Sequence, residues 1–199
     1  ALTLPSGTNF LSESVNGINY NFVTTQSTTV SATNNTAQFN NIELKQGHQT
    51  TYRFTVDSTS NPTYTFEIPD NSVDTSTLKI TIQKSSSNSY IEVYDLAQDY
   101  ITLDGESKVY FLQESLTGTY EIYFGDGVLG KQLNDGSLVV ISYISTEGTS
   151  SAGANNFVLM DSISGYSNTT IYPVTSATQG GDKESIDSIR SEERRVGKE

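Results

Sequence analysis

Residues 120–157 read YEIYFGDGVLGKQLNDGSLVVISYISTEGTSSAGANNF. The order is a strand, a Gly125-Asp126-Gly127 turn, a second turn at Asn134-Asp135-Gly136, an apolar strand and a loop of small residues. Glycine relieves the Cβ constraint that such turns impose, so Gly125, Gly127 and Gly130 predict backbone in the left-handed region. In Leu138-Val139-Val140-Ile141 both strand faces are apolar, which predicts a central strand covered on both sides. Nothing in the stretch has the pattern of a catalytic centre.

Outward from it, the same grammar repeats. Tyr64, Phe66 and Ile68 alternate with polar residues, as do Leu78, Ile80 and Ile82. Ile18, Tyr20 and Phe22 form a similar face, and so do Tyr52, Phe54 and Val56. A period of two marks strands with one buried and one wet face. Turn signals divide the runs at Asn61-Pro62, Pro69-Asp70-Asn71 and Asp104-Gly105, and Ser85–Ser89 reads as an exposed hairpin loop. The expected fold is mainly β: antiparallel, sandwich- or barrel-like, built of short strands. No internal repeat of fixed period is visible. Residues 1–178 form the β-rich region, with a division into two subdomains near 50–60 as one organisation. Asp182 then caps the start of a helix over 179–190, with Ile186 and Ile189 beginning an apolar stripe. Residues 191–199 carry six charges, match nothing before them and read as a non-native appendage.

Composition narrows the function classes. The apolar fraction is 34%, below the usual ~45–50%, a reference that also counts glycine. Ser, Thr and Asn make up the difference, which suits hydroxyl-rich outer sheet faces. Twelve Tyr and eight Phe argue against disorder. Eleven basic against 23 acidic residues leave a net charge of −12, unfavourable for non-specific attraction to nucleic acid or anionic membranes and suited to basic protein partners. The absence of cysteine excludes disulfides and Cys-based zinc sites. No run approaches the ~18 apolar residues of a membrane span. Two glycosylation sequons, at Asn34 and Asn168, are expected by chance in so Asn- and Thr-rich a chain.

Each chemical motif meets a structural competitor. Gly125 and Gly130 are followed by Lys131 at P-loop spacing, but Gln132 replaces the required Ser/Thr and no helix follows. Asp104, Asp126 and Asp135 sit in glycine-containing turns where calcium could bind, yet no twelve-residue calcium loop is present and Asp favours turns for local reasons. His48 is the lone histidine, and no G-x-S-x-G elbow exists to pair with it. No pair of carboxylates is singled out for hydrolysis. Neither cofactor nor metal nor small-molecule substrate is expected. Tyr90, Tyr94, Tyr100, Tyr110, Tyr120, Tyr123 and Tyr143 would suit a sugar-binding face if they shared one, and equally suit packing or protein interfaces.

Several phrases, taken in order, resemble the baseplate wedge family of T-even-like and cyanophage-type contractile-tailed phages. They are Asn61-Pro62, Phe66–Pro69, Val73–Leu78, Leu103-Asp104, Lys108–Glu114, Tyr120–Gly130, Tyr143 with Thr146–Gly148, and Gly180–Ile186. The last phrase, before a helix, is also similar to the broader baseplate J-like group. The resemblance covers roughly residues 60–190. It implies a non-enzymatic virion component of the tail baseplate, assembled in the host cytoplasm. Such a subunit would associate with itself and other wedge proteins, join wedges into a ring around the tail hub and help transmit the contraction signal. The competing readings are a β-sandwich carbohydrate- or receptor-binding module and a fragment of a secreted hydrolase. The expected shape-determining and interaction residues are Gly125, Asp126, Gly127 and Gly130 in the first turn, Asn134, Asp135 and Gly136 in the second, and Gly148 opening the loop to Asn156.

Overall fold

A computed structural model describes residues 1–178 apart from 86 and 116. The expected helix start at 179–190 and the charged tail at 191–199 lie outside the described residues. The chain forms two compact units, one of Ala1–Gln46 with the chain from Glu147 onward, the other of Gly47–Thr146.

The first unit contains β1 (Leu2–Leu4), β2 (Asn9–Ser12), β3 (Asn21–Thr24), β4 (Thr28–Val30) and β5 (Leu44–Gln46). The second contains β6 (His48–Thr55), β7 (Thr65–Ile68), β8 (Val73–Ser85), β9 (Asn88–Leu96), β10 (Val109–Glu114), β11 (Tyr120–Phe124) and β12 (Leu138–Ser145). The chain then returns to the first unit with β13 (Phe157–Leu159).

In the first unit β1 pairs with β4, and a four-stranded sheet runs β13-β2-β3-β5. Leu4, Phe10, Tyr20, Phe22 and Ala154 are buried together, with Phe157 packed edge-on to Phe22 at 5.0 Å. The polar groups inside are satisfied, as burial requires: the Thr24 hydroxyl donates to the Pro5 carbonyl at 2.6 Å and accepts from the Thr8 amide. Ile18 departs from the alternation expected of it and is exposed, because Val15 and Ile18 close a tight two-residue turn through Asn16 (φ +53°) and Gly17 (φ +86°). Positive φ at both central residues is the mirror-image turn that suits hairpin twist. The same device recurs at Thr33–Thr36 and Ile163–Tyr166.

The second unit is a single seven-stranded sheet, β6-β12-β8-β9-β10-β11-β7. Every pairing is antiparallel except a short parallel contact between β9 and β10, where Asp95 and Leu96 lie opposite Val109 and Tyr110. The sheet curls until its two edge strands meet: Phe54 of β6 packs on Phe66 of β7 with ring centroids 5.3 Å apart, closing most of a barrel. Ile68, Ile80, Ile122, Val139 and Ile141 fill the interior with Phe66, Phe124 and Tyr94. These are the inward positions of strands of alternating polarity. Strand β12 is central, as expected, but Leu138 and Val140 on its outer face are only half-buried, so that strand is fully covered on one side alone.

Candidate functional site

Strand β11 ends at Phe124, whose ring sits edge-on to Phe66 (5.9 Å) and Tyr94 (5.7 Å) in the barrel core. The chain then leaves the core and turns back within six residues. Gly127 lies at φ +87° and donates its amide to the Gly130 carbonyl at 3.1 Å, and Gly130 lies at φ +84°. Gly125 does not have the left-handed backbone expected for it. Glycine is required there by proximity, since a Cβ at 125 would overlap the Gly130 backbone. Asp126 closes the turn from outside: its carboxylate accepts from the amides of Val128 (2.9 Å) and Leu129 (3.1 Å). The bond from the Leu129 amide, followed by that from Val128, holds its carboxyl below the ordinary range. The result places two apolar side chains at the tip, Val128 at 72% and Leu129 at 46% exposure.

A second loop braces this turn. The Gly130 amide donates to the Asp104 carbonyl (2.9 Å) and the Lys131 amide to the Ser107 carbonyl (2.8 Å). Gly105 has no Cβ to collide with the Gly127 carbonyl. The Asp104 carboxylate accepts from the Ser107 hydroxyl (2.7 Å) and the Glu106 amide (3.0 Å), which hold its carboxyl down. Beneath the two loops, Glu92 of β9 pairs with Lys108 (3.1 Å) and Lys131 (3.4 Å). Burial pushes the Glu92 carboxyl up, but the two lysines outweigh it and the net shift is downward. Burial, with the charges of Glu92 and Glu106, pushes the neighbouring Tyr94 phenol up to about 12.

The loop before Asp104 carries more exposed apolar surface. Asp99 caps a short 3₁₀ turn at Tyr100–Thr102 by accepting from the Ile101 amide. Tyr100 stacks on Phe111 at 5.6 Å, and Phe111 stacks on Tyr123 at 5.0 Å. Tyr100 remains 58% exposed and Ile101 93%.

The second expected turn has a different task. The Asp135 carboxylate takes both the amide and the hydroxyl of Ser58, each at 2.7 Å. Gly136 (φ +79°) donates to the Val56 carbonyl, Val56 donates to the Ser137 carbonyl, and the Ser137 amide returns to the Asn134 carbonyl. Leu133, just before, is buried in the barrel. Asn134, Asp135 and Gly136 therefore clamp the segment after β6, while all three stay exposed to solvent. Gly148 (φ +72°) opens a 3₁₀ turn at Gly148–Ser151 in the first unit and is not part of the second unit's loop junction.

Among the described residues the groups of the competing chemistries are not brought together. Asp104, Asp126 and Asp135 each spend their carboxylates on donors in or beside their own turns. Among the described residues no three His, Asp or Glu side chains are grouped to hold a metal ion. Lys131, the lysine of the phosphate-loop-like spacing, is paired with Glu92. His48 opens edge strand β6 opposite Ser145. The tyrosines do not share a face: Tyr94, Tyr110 and Tyr143 are core residues, Tyr120 and Tyr123 are half-buried, and Tyr90 and Tyr100 are exposed. Sequence reasoning missed Glu92, the Tyr100–Phe111–Tyr123 stack and the bracing of one loop by the other. Only the last had a local signal, the paired Asp-Gly turns at 104 and 126.

Comparison with known proteins gives a family match mainly on the second unit and a relative that matches most of the chain. Residues 53–150 match the family described as bacteriophage baseplate wedge protein gp6, third domain. Baseplate wedge protein gp6 of Enterobacteria phage T4 is 25% identical over 218 aligned residues, covering 95% of this chain and 31% of that protein. The chain thus spans about a third of the length of this curated relative.

Proposed function

We propose that the chain is a baseplate wedge protein of contractile-tailed phages, a structural component of the virion tail baseplate, and that it mediates wedge assembly and ring formation around the tail hub. In this reading it associates with itself and with other wedge subunits, and it passes the contraction signal through those contacts. It acts without catalysis, cofactor or small-molecule substrate.

The supporting observation is the agreement between the family match at 53–150 and the compact barrel at Gly47–Thr146. What is shared is a folded body with its own core, not a scattered motif. Devices that hold and then switch rely on rigid bodies whose alternative states lie in their interfaces, and a nearly closed barrel with braced loops meets that need. The test is genetic and structural. Phage carrying an in-frame deletion of the coding region should yield incomplete baseplates, with free wedges visible by electron microscopy, and the full-length gene supplied in trans should restore closed rings. Infectious particles with normal baseplates that lack the protein would refute the reading.

A further inference from the structure

The most unusual surface of the second unit is the tip of the Gly125–Gly130 turn. Turns rich in Gly and Asp normally face water with polar side chains, yet this one points Val128 and Leu129 outward. Its shape is fixed from several directions: by Asp126 on two amides, by Asp104 and Ser107 on Gly130 and Lys131, and by the Glu92 ion pairs below. A loop immobilised before it meets a partner loses little entropy on binding. The neighbouring loop, bonded to it through Asp104, adds Tyr100 and Ile101.

Charge selects the partner. The two loops that carry these apolar side chains also carry the carboxylates Asp99, Asp104, Glu106 and Asp126, whereas Lys108 and Lys131, the lysines of the same segments, are engaged by Glu92. The rim is therefore acidic. A second copy would bring its own acidic rim against this one, within a chain of net charge −12, and like charges across an interface select against that pairing.

Building on the baseplate reading above, we propose that Val128 and Leu129, flanked by Tyr100 and Ile101, form a docking knob that seats in an apolar pocket of a different baseplate protein, one whose pocket is rimmed by Lys or Arg. The hydrogen bonds that hold the Asp104 and Asp126 carboxyls below the ordinary range keep the rim charged into mild acid.

The test places a photo-crosslinking benzoylphenylalanine at position 128 of the full-length phage protein and irradiates assembled baseplates. The expected product joins position 128 to a different baseplate subunit, in a peptide with apolar residues beside Lys or Arg. The paired variant Val128→Ser/Leu129→Ser should keep its melting temperature while its incorporation into baseplates falls at least about tenfold, the factor that a lost interface anchor typically exceeds. A cross-link to a second copy of the chain overturns the proposal. So does the absence of any cross-link in baseplates that contain the labelled protein, or normal incorporation of the serine pair. If the double variant misfolds, the cross-link decides alone. Labelled protein present in baseplates but silent at 128 sinks the docking knob only, whereas unlabelled wild-type protein absent from baseplates sinks the baseplate reading with it.

Discussion

Gly125 and Gly127 stand two residues apart in one turn, and the structure assigns them different reasons for being glycine. Gly127 lies at φ +87° in open surroundings; an added Cβ would come no nearer than 3.8 Å to Gln132. Its replacement by Ala costs only the left-handed backbone penalty, about 1–2 kcal/mol, partly offset by a less flexible unfolded chain. Asn visits that region readily, so Gly127→Asn should cost a few tenths of a kcal/mol by the same principle, and Gly127→Val more than Ala because it is β-branched. Gly125 has unexceptional φ but no room, since a Cβ would overlap the Gly130 backbone. That backbone is tied to Asp104 and cannot yield cheaply. Gly125→Ala should therefore cost about 3 kcal/mol, the upper part of the overpacking range, and Asn should bring no relief. For a unit of this size each kcal/mol lowers the melting temperature by about 4–8 °C. Thermal and urea unfolding followed by circular dichroism would read the series. The reasoning fails if Gly127→Asn is as damaging as Gly127→Val, or if Gly125→Ala is silent.

Two further outcomes follow from the charges beneath that turn. Glu92→Gln leaves Lys108 and Lys131 facing each other without their shared anion and should destabilise the second unit by about 1.5–3 kcal/mol, the range for hydrogen bonds to charged groups. Because the Glu92 carboxyl is held below its ordinary 4.5, its contribution is present above that pH and lost as pH falls through the depressed value. The variant should accordingly show a shallower acid limb in a stability-versus-pH curve, and an unchanged limb would count against the ion pairs. Tyr94 has the opposite sign: with its phenol raised from 10.0 to about 12, stability holds below pH 10 and is lost as pH rises toward 12. The stabilisation at stake is on the order of one to a few kcal/mol. Alkaline unfolding with ultraviolet detection of phenolate checks this, and Tyr94→Phe should hold its stability further into alkali than the parent.

Much of the barrel was legible because its strands are simple amphipaths. Phe66 and Ile68, or Ile80 and Ile82, have one side to bury, and period two states which. Legibility failed where a single backbone angle overrode the pattern. Tyr64 belongs to the alternating run by polarity, but it sits at φ +49° in a loop, and the strand begins at Thr65. Ile18 departs from its pattern for a related reason: the Asn16-Gly17 pair, itself a strong hairpin signal, makes Ile18 the closing residue of the turn, and the next strand begins only at Asn21. Leu138 and Val140 look as buried as Val139 and Ile141 in composition. What separates them is the layer on each side of β12, which no local pattern encodes. For the site, glycine and aspartate marked the turns, while the exposure of Val128 and the burial of Tyr94 and Tyr110 depend on which strands become neighbours. A tyrosine's sequence context does not say which face it will occupy.

The two-unit organisation has a physical logic in the residues where the chain crosses over. Strand β6 begins at His48 directly opposite Ser145 at the end of β12, so the second unit closes its own base with one antiparallel pair. In the first unit, Gln46 and Glu147 are joined by a hydrogen bond, the Glu147 amide donating to the Gln46 side-chain oxygen at 2.8 Å. Between them, Gly47 adopts φ +131° and leaves the space that the Ser145 carbonyl occupies, a position where any Cβ would collide. Entry and exit thus lie side by side. An inserted domain whose ends are already adjacent adds little loop-closure cost to its host, because that cost depends on bringing the ends together and grows only slowly with the length between them. Domain insertions are tolerated for this reason where chain ends meet at a surface. The barrel at Gly47–Thr146 nearly coincides with the segment at 53–150 that carries the family match. The bonds that hold the Gly125–Gly130 turn come from Asp104, Ser107 and Asp126, all within that same unit.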